Sequence, residues 1–197
     1  MKVWRQAGLC FIITLLAVDP ARAAERAKAM SPDGRLTVWT RSVAGQAGAS
    51  GQAATALWLT DIRTGTSRQL YRGRPSTNPK QNRSSLANPD FSLDGGYIYA
   101  EADAYATSPA VHQINVRTGS ARYVTDGGLY GVLRDGPWRG YLVVQQHRYR
   151  RNGNGSYDPY VVVRPNGRQI AMIPGTDAGD PDRALARWLS AKRWTLS

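Results

Sequence analysis

Few side chains in this 197-residue chain have chemistry to offer, and most of them are basic. His112 and His147 are its only histidines, and Cys10 is its only cysteine. Nucleophilic hydrolysis needs a nucleophile, a base and a group that orients the base. The sequence contains no Gly-x-Ser-x-Gly, and it has no glycine-rich phosphate loop ahead of a helix. A zinc site needs a third ligand near both histidines, and nothing in the spacing supplies one. His112 shares a strand face with Ile114 and Val116, which predicts a packed structural role. His147 opens a loop and is the better placed of the two to touch a ligand. Asn152, Asn154, Ser156 and Asp158 put oxygen side chains at every second position, as calcium loops do. Calcium loops also need several carboxylates and a bidentate glutamate. Here only Asp158 is charged, and Arg148, Arg150 and Arg151 precede it, so the segment reads as a flexible hairpin loop. The sequence therefore predicts no enzyme, no cofactor and no metal.

The remaining chemistry is ion pairing. Arg72, Arg74, Lys80 and Arg83 lie in a long polar connection from Arg72 to Pro89, which is punctuated by Pro75 and Pro79. His147, Arg148, Arg150 and Arg151 lie in a second loop, from His147 to Pro159. Loops this long in a compact domain are functional or disordered. If functional, these two would recruit an anionic partner through an exposed basic surface. The formal net charge of +12 agrees with that, although the arginines are spread along the whole chain, as genome base composition alone would also produce.

The N-terminus reads as a leader. Lys2 and Arg5 precede an apolar run from Ala7 to Val18, which is 12 residues long and short for a bilayer span. Ala21-Arg22-Ala23 then offers the small residues that a signal peptidase reads, which predicts cleavage between Ala23 and Ala24. Cleavage would remove Cys10, so the mature chain could form no disulfide. It would also remove three basic residues (Lys2, Arg5, Arg22) and Asp19, leaving a charge of +10. The compartment this implies is a bacterial periplasm. There the anionic partners are an envelope protein or an anionic envelope polymer rather than nucleic acid.

The elements that position these loops come in repeats. Ser31-Pro32-Asp33-Gly34 and Asp61-Ile62-Arg63-Thr64-Gly65 recur as Ser92-Leu93-Asp94-Gly95 and Asn115-Val116-Arg117-Thr118-Gly119. Each phrase is a tight reversal joining alternating strands. Tyr97 to Tyr105 alternates most clearly, with Ile98, Ala100, Ala102 and Ala104 on one face. On the other face Glu101 and Asp103 are expected to pair with arginines of an adjacent strand. Residues 24–30 read as a frayed terminus, and Val43 to Thr55, with Gly45, Gly48 and Gly51, as a flexible loop. A third, degenerate unit follows from Tyr130 to Ile173, with a hairpin signal at Pro165-Asn166-Gly167 and a continuous apolar strand at Val161-Val162-Val163.

The repeated wording resembles the propeller repeats of the periplasmic TolB family: Phe91-Ser92-Leu93-Asp94-Gly95 and Met30-Ser31-Pro32-Asp33-Gly34 match its first phrase, and Asp61 to Gly65 and Asn115 to Gly119 its second. The likeness is good over residues 30–126 and loose elsewhere, and it departs from the pattern at Leu93 and Asn115. It implies a WD40-like β-propeller module that acts as a non-enzymatic protein-interaction platform of the cell envelope. Blades of this kind also accompany serine peptidase domains, and exposed Tyr and Trp beside Arg would equally suit a carbohydrate or anionic-polymer binder.

Three units fall short of the roughly 4–8 blades that close a ring. The expected fold is all-β, an incomplete or open propeller-like body of about three antiparallel sheet units and about ten to twelve strands, with a C-terminal amphipathic helix. The expected division is a signal peptide at 1–23, a β domain at 24–179 and a helix within 180–197. Asp180 caps that helix, Pro181 fits its first turn, and Leu185, Trp188 and Leu189 form its contact stripe. It can cover one terminal face of the stack. The other is left for self-association or a partner.

Overall fold

The structure, a computed structural model, describes residues 25–47, 53–106, 108–151, 153 and 155–197. The expected leader with Cys10 and its expected cleavage site, residues 48–52, and Asn152 and Asn154 lie outside the described residues.

Three four-stranded antiparallel sheets stack in chain order. The first holds β1 (Glu25–Met30), β2 (Leu36–Ala47), β3 (Ala53–Asp61) and β4 (Ser67–Arg72). The second holds β5 (Ala87–Phe91), β6 (Tyr97–Tyr105), β7 (Ser108–Asn115) and β8 (Ala121–Asp126). The third holds β9 (Gly128–Val132), β10 (Leu142–Gln145), β13 (Tyr160–Val163) and β14 (Gln169–Met172). A separate hairpin of β11 (Arg148–Tyr149) and β12 (Ser156–Tyr157) is inserted between β10 and β13. The helix α1 runs Pro181–Lys192.

The four-stranded meander three times over is the propeller blade that the repeats predicted, and the helix is where its cap predicted it. Three expectations fail. Fourteen strands are present among the described residues against the expected ten to twelve, because the β11–β12 hairpin adds two to the twelve strands of the meanders. Residues 25–30 are not frayed but form β1, which pairs with β2 in register Met30↔Thr37 to Glu25↔Arg41. The β2 and β3 strands also run further into the expected loop, to the pair Ala47↔Ala53. Backbone pairing to a neighbouring strand overrides weak local strand preference in both places, that of Glu, Lys and Ala in β1 and that of Ala and Gly at the end of β2.

Apolar side chains alternate between the two faces of each sheet and make three layers of core. Val38, Leu57, Leu59 and Leu70 of the first sheet meet Phe91, Ile98, Ala100 and Ile114 of the second. Tyr99, Val111 and Val124 of the second meet Val132, Leu142, Val144, Val161 and Val163 of the third. The continuous apolar run at Val161 to Val163 is thus covered on both faces, with Val162 turned the other way onto Leu185 of α1.

The junctions between sheets repeat a polar clasp as well. Arg68 at the start of β4 donates Nη2 to the Val116 carbonyl at 2.7 Å, and Arg122 at the start of β8 donates Nη2 to the Pro165 carbonyl at 2.6 Å. Beside each clasp a turn glycine lies against a carbonyl of the preceding sheet, Gly119 (φ 70°) against Leu70 and Gly167 (φ 92°) against Val124. Any β-carbon at either place would run into that carbonyl, so both positions need glycine for space as well as for φ.

The Asp180 side chain accepts from the Arg183 N–H at 3.0 Å, and Arg193 ends α1 in the left-handed region. The tail then returns to the sheets. Thr195 accepts from the Arg134 N–H, Leu196 bridges to Leu133, and the Ser197 N–H donates to the Val132 carbonyl.

Candidate functional site

Antiparallel meanders put alternate connections at opposite ends of the stack, and here the two ends differ. One end is turned by short reversals such as Asp33-Gly34, Asp94-Gly95 and Asn166-Gly167, with the longer link 133–141 between β9 and β10 as its exception. In these short reversals the Asp or Asn side chain accepts a backbone N–H two residues on. The other end carries the two longest connections, the segment from Gly73 to Leu86 and the insertion from Gln146 to Pro159. All eight basic and histidine residues singled out from the sequence lie at this second end.

The β4–β5 connection is folded. Arg74 and Arg83 exchange backbone hydrogen bonds at 3.2 and 2.9 Å, which closes the loop on itself. Asn82 and Ser84 are buried beneath it, and the Asn82 amide donates to the Asp103 carbonyl at 2.7 Å. Its basic residues divide in role. Arg72 and Arg74 are exposed. Lys80 places its ammonium 5.4 Å from the Tyr123 ring centre. Arg83 points inward and donates Nε to His112 Nδ1 at 3.2 Å. His112 is 0% exposed, so it does have the packed role that its strand position predicted. Burial, and then the Arg83 charge, pull its pKa down to about 4. Arg83 is therefore a structural pin rather than part of an open contact surface.

The β10–β13 insertion stands beside it. His147 Nδ1 is 2.7 Å from Asp158 Oδ1, and its ring meets Tyr149 edge-on at 5.0 Å. Arg148 donates to Gln146 Oε1 from Nε at 3.2 Å and from Nη2 at 2.7 Å, and again from Nη2 to Gln169 Oε1 at 2.6 Å. Arg150 lies over the Tyr157 ring at 5.1 Å, and Arg151 is exposed.

Between the two loops lies a surface that the sequence did not reveal. Tyr105 at the end of β6 and Tyr123 on β8 both lie near the Asp126 carboxylate. Burial raises both phenol pKa values, and Asp126 raises them further. Asp126, Tyr105, Gln146, His147, Arg148 and Tyr149 line a cavity of about 530 Å³ between the second and third sheets. The structure thus brings Lys80 and the His147–Arg148 pair to either side of one aromatic patch. No single residue in the sequence signals this. It follows from which strand ends come level when the sheets stack. A second cavity, of about 660 Å³, lies along the innermost strands among Lys28, Asn88, Asp90, Tyr130 and Arg134, and the Ser197 hydroxyl closes on Asp90 within it.

Glu101 does not pair with an arginine as expected. Its Oε1 accepts the Leu129 N–H at 2.6 Å and its Oε2 the Asn88 amide at 2.9 Å, which ties the second sheet to the third. Burial raises its pKa. A backbone N–H at the start of β9 takes the place of the arginine because β9 presents an unpaired inner edge there.

Among the described residues no group of three metal-ligating side chains converges, and no helix is long and apolar enough to cross a membrane. No protein-family model and no curated protein matches the chain. Solved structures do. A dipeptidyl peptidase 4 from Porphyromonas gingivalis superposes over 78% of this chain and 24% of its own, at 8% identity and a TM-score of 0.50. The β-propeller domain of the Trilobed protease from Pyrococcus furiosus, described as an open velcro topology, superposes over 76% and 43%, at 11% identity and a TM-score of 0.51. TolB from Acinetobacter baumannii matches over 74% and 42% at 16% identity, but its TM-score of 0.33 carries no weight. The chain thus has a propeller-repeat fold, with three consecutive blades, and spans less than half the length of these solved chains.

Proposed function

We propose that this chain is a non-enzymatic binding module exported to the bacterial cell envelope, and that it takes an anionic partner at its long-loop end. The observation that carries this reading is the asymmetry between the two ends. A rigid stack whose two longest connections, 73–86 and 146–159, leave from the same end concentrates its adaptable surface there. That side bears exposed Arg72, Arg74, Lys80, Arg150 and Arg151, and half-buried Arg148, among Tyr105, Tyr149 and Tyr157. The leader-like N-terminus supports export, and the TolB-like wording of the repeats supports a platform role. The partner is an envelope protein or an anionic envelope polymer. Service as the accessory propeller of a separate hydrolase is the second reading, since peptidases contain propeller domains of this fold.

Binding to an immobilised envelope polyanion, with lipopolysaccharide as the probe, is expected to weaken steeply with salt, because exposed charges are screened beyond about 8–10 Å. Charge reversal at Arg72, Arg74, Arg150 and Arg151 together should abolish it. Unchanged binding in that variant would place the contact elsewhere and remove the reading.

A further inference from the structure

The cavity between the second and third sheets has the chemistry of a more selective site than a basic surface. Its cation is fixed in place. The Thr125 hydroxyl and the Asp126 carbonyl hold the Gln146 amide at 3.2 and 3.1 Å. The oxygen of that amide, together with Gln169, holds the Arg148 guanidinium. Both partners of Arg148 are neutral amides, so the guanidinium is immobilised without being neutralised. A positioned guanidinium loses little freedom when it meets an oxyanion, and it keeps donors on Nη1 for the purpose. His147 is fixed in the same way through Nδ1 by Asp158, which leaves Nε2 as its second ring nitrogen.

The other walls limit what the anion can be attached to. The Asp126 carboxylate lies in the same cavity and disfavours a second negative charge close to the first. Tyr105 and Tyr149 are 44% and 73% exposed and offer ring surface for an apolar or sugar face. Gln146 and Ser108 add hydrogen-bonding groups. A chain of closely spaced charges, such as a polyphosphate or polyglutamate, sets charge against Asp126. A ring that carries one carboxylate and several hydroxyls matches every wall. It gives an acid to Arg148, hydroxyls to the carboxylate and amide oxygens, and a flat face to tyrosine. The volume of about 530 Å³ lies within the range of small-ligand sites.

We infer that this cavity is a subsite for an acidic saccharide of the uronate type, with Arg148 as the anchor of the sugar carboxylate and Tyr149 as its platform. The inference rests on the long-loop end being the binding end. Calorimetry with galacturonate, neutral galactose and polyglutamate tests it. Saturable binding of the uronate is expected, without measurable binding of the neutral sugar. Arg148→Gln should weaken it about tenfold or more, the cost of losing a charge-assisted donor. Tyr149→Ala should weaken it by a smaller factor, and Arg117→Gln at the opposite end should leave it unchanged. Absence of uronate binding, uronate binding indifferent to Arg148→Gln, or polyglutamate binding as tight as the uronate each overturns the subsite. Salt-sensitive binding of lipopolysaccharide that survives such a result would leave the broader reading standing. Loss of both would remove the two together.

Discussion

The first and third sheets each end the stack, and they end it by different means. In the second sheet, the face turned toward the first presents Ile98, Ala100, Ala102, His112 and Ile114, all of them buried. The corresponding positions of the first sheet, counted from the shared turns, are Thr37, Trp39, Arg41, Trp58 and Thr60. Small and apolar residues have been replaced by polar ones and by two tryptophans. Trp39 and Trp58 stack on one another across the sheet at 5.7 Å and 21°. The Trp39 indole N–H donates to the Thr60 hydroxyl at 3.0 Å, and Thr60 is joined in turn to Ser67 at 2.7 Å. That face links Trp39, Thr60 and Ser67 to one another and packs its own aromatics. The third sheet keeps an apolar outer face of Val143, Tyr160, Val162 and Ile173 and covers it with Leu185, Trp188, Leu189 and Trp194. One terminus is finished by changing residues within the sheet, and the other by adding an element to it. The terminal units of a stacked repeat need a face that tolerates water, and side-chain identity achieves that as well as a helix does.

The largest expected effect probes this difference directly. Trp188→Ser with Leu189→Ser uncovers the third sheet and should cost about 4 kcal/mol in denaturant unfolding, with apolar surface newly exposed. Trp39→Ser with Trp58→Ser removes a stacked pair already half open to water and should cost about 1 kcal/mol. Equal losses would mean that both faces rely on burial, and the contrast would be gone.

The junctions sharpen the comparison further, because each holds a buried titratable group of opposite sign. His112 lies at the first junction, with a folded pKa of about 4 against 6.5 when unfolded. The unfolded chain therefore binds the proton more readily. Stability should be full above pH 6.5 and should be lost as pH falls toward 4, by about 3 kcal/mol at most. In His112→Gln, where the amide oxygen can still accept from Arg83, unfolding curves between pH 7 and 4.5 should lose most of this slope. If they keep it, the acid sensitivity belongs to another group.

A smaller effect of the reverse sign is expected at the second junction. Burial raises the Glu101 pKa, so the folded state binds that proton more tightly than the unfolded chain does. Its contribution is present below the ordinary value of 4.5 and is lost as pH rises through the folded value. Glu101→Gln should flatten this decline, as read from melting temperatures on the alkaline side of that window. A decline unchanged in the variant would remove Glu101 as its source.

What the sequence made legible was local. The turn phrases at Asp33-Gly34, Asp94-Gly95 and Thr118-Gly119, the Asp180 cap and the doubly covered Val161 to Val163 each depend on a few neighbouring residues. The Glu25–Met30 strand was hidden because its apolar content is low and its stability comes from pairing with β2. Glu101 was assigned the wrong partner because composition suggested arginine while the stacked fold supplied a backbone N–H. The candidate site was half visible. Its basic loops could be read, but Tyr105, Asp126 and Gln146 are ordinary strand-end residues until the second and third sheets are stacked.

The order of the two finished ends along the chain matters during synthesis. A chain emerges from its N-terminus and folds progressively in that direction. The first sheet to emerge has the water-tolerant face, so the growing intermediate shows apolar surface only at its advancing end. Each new sheet covers the last and exposes its own face in turn. The third sheet stays bare until Pro181 to Ser197 arrives and α1 covers it. A stall or truncation before that point leaves the most aggregation-prone form of the molecule, whereas the same loss at the Trp39–Trp58 face has no counterpart.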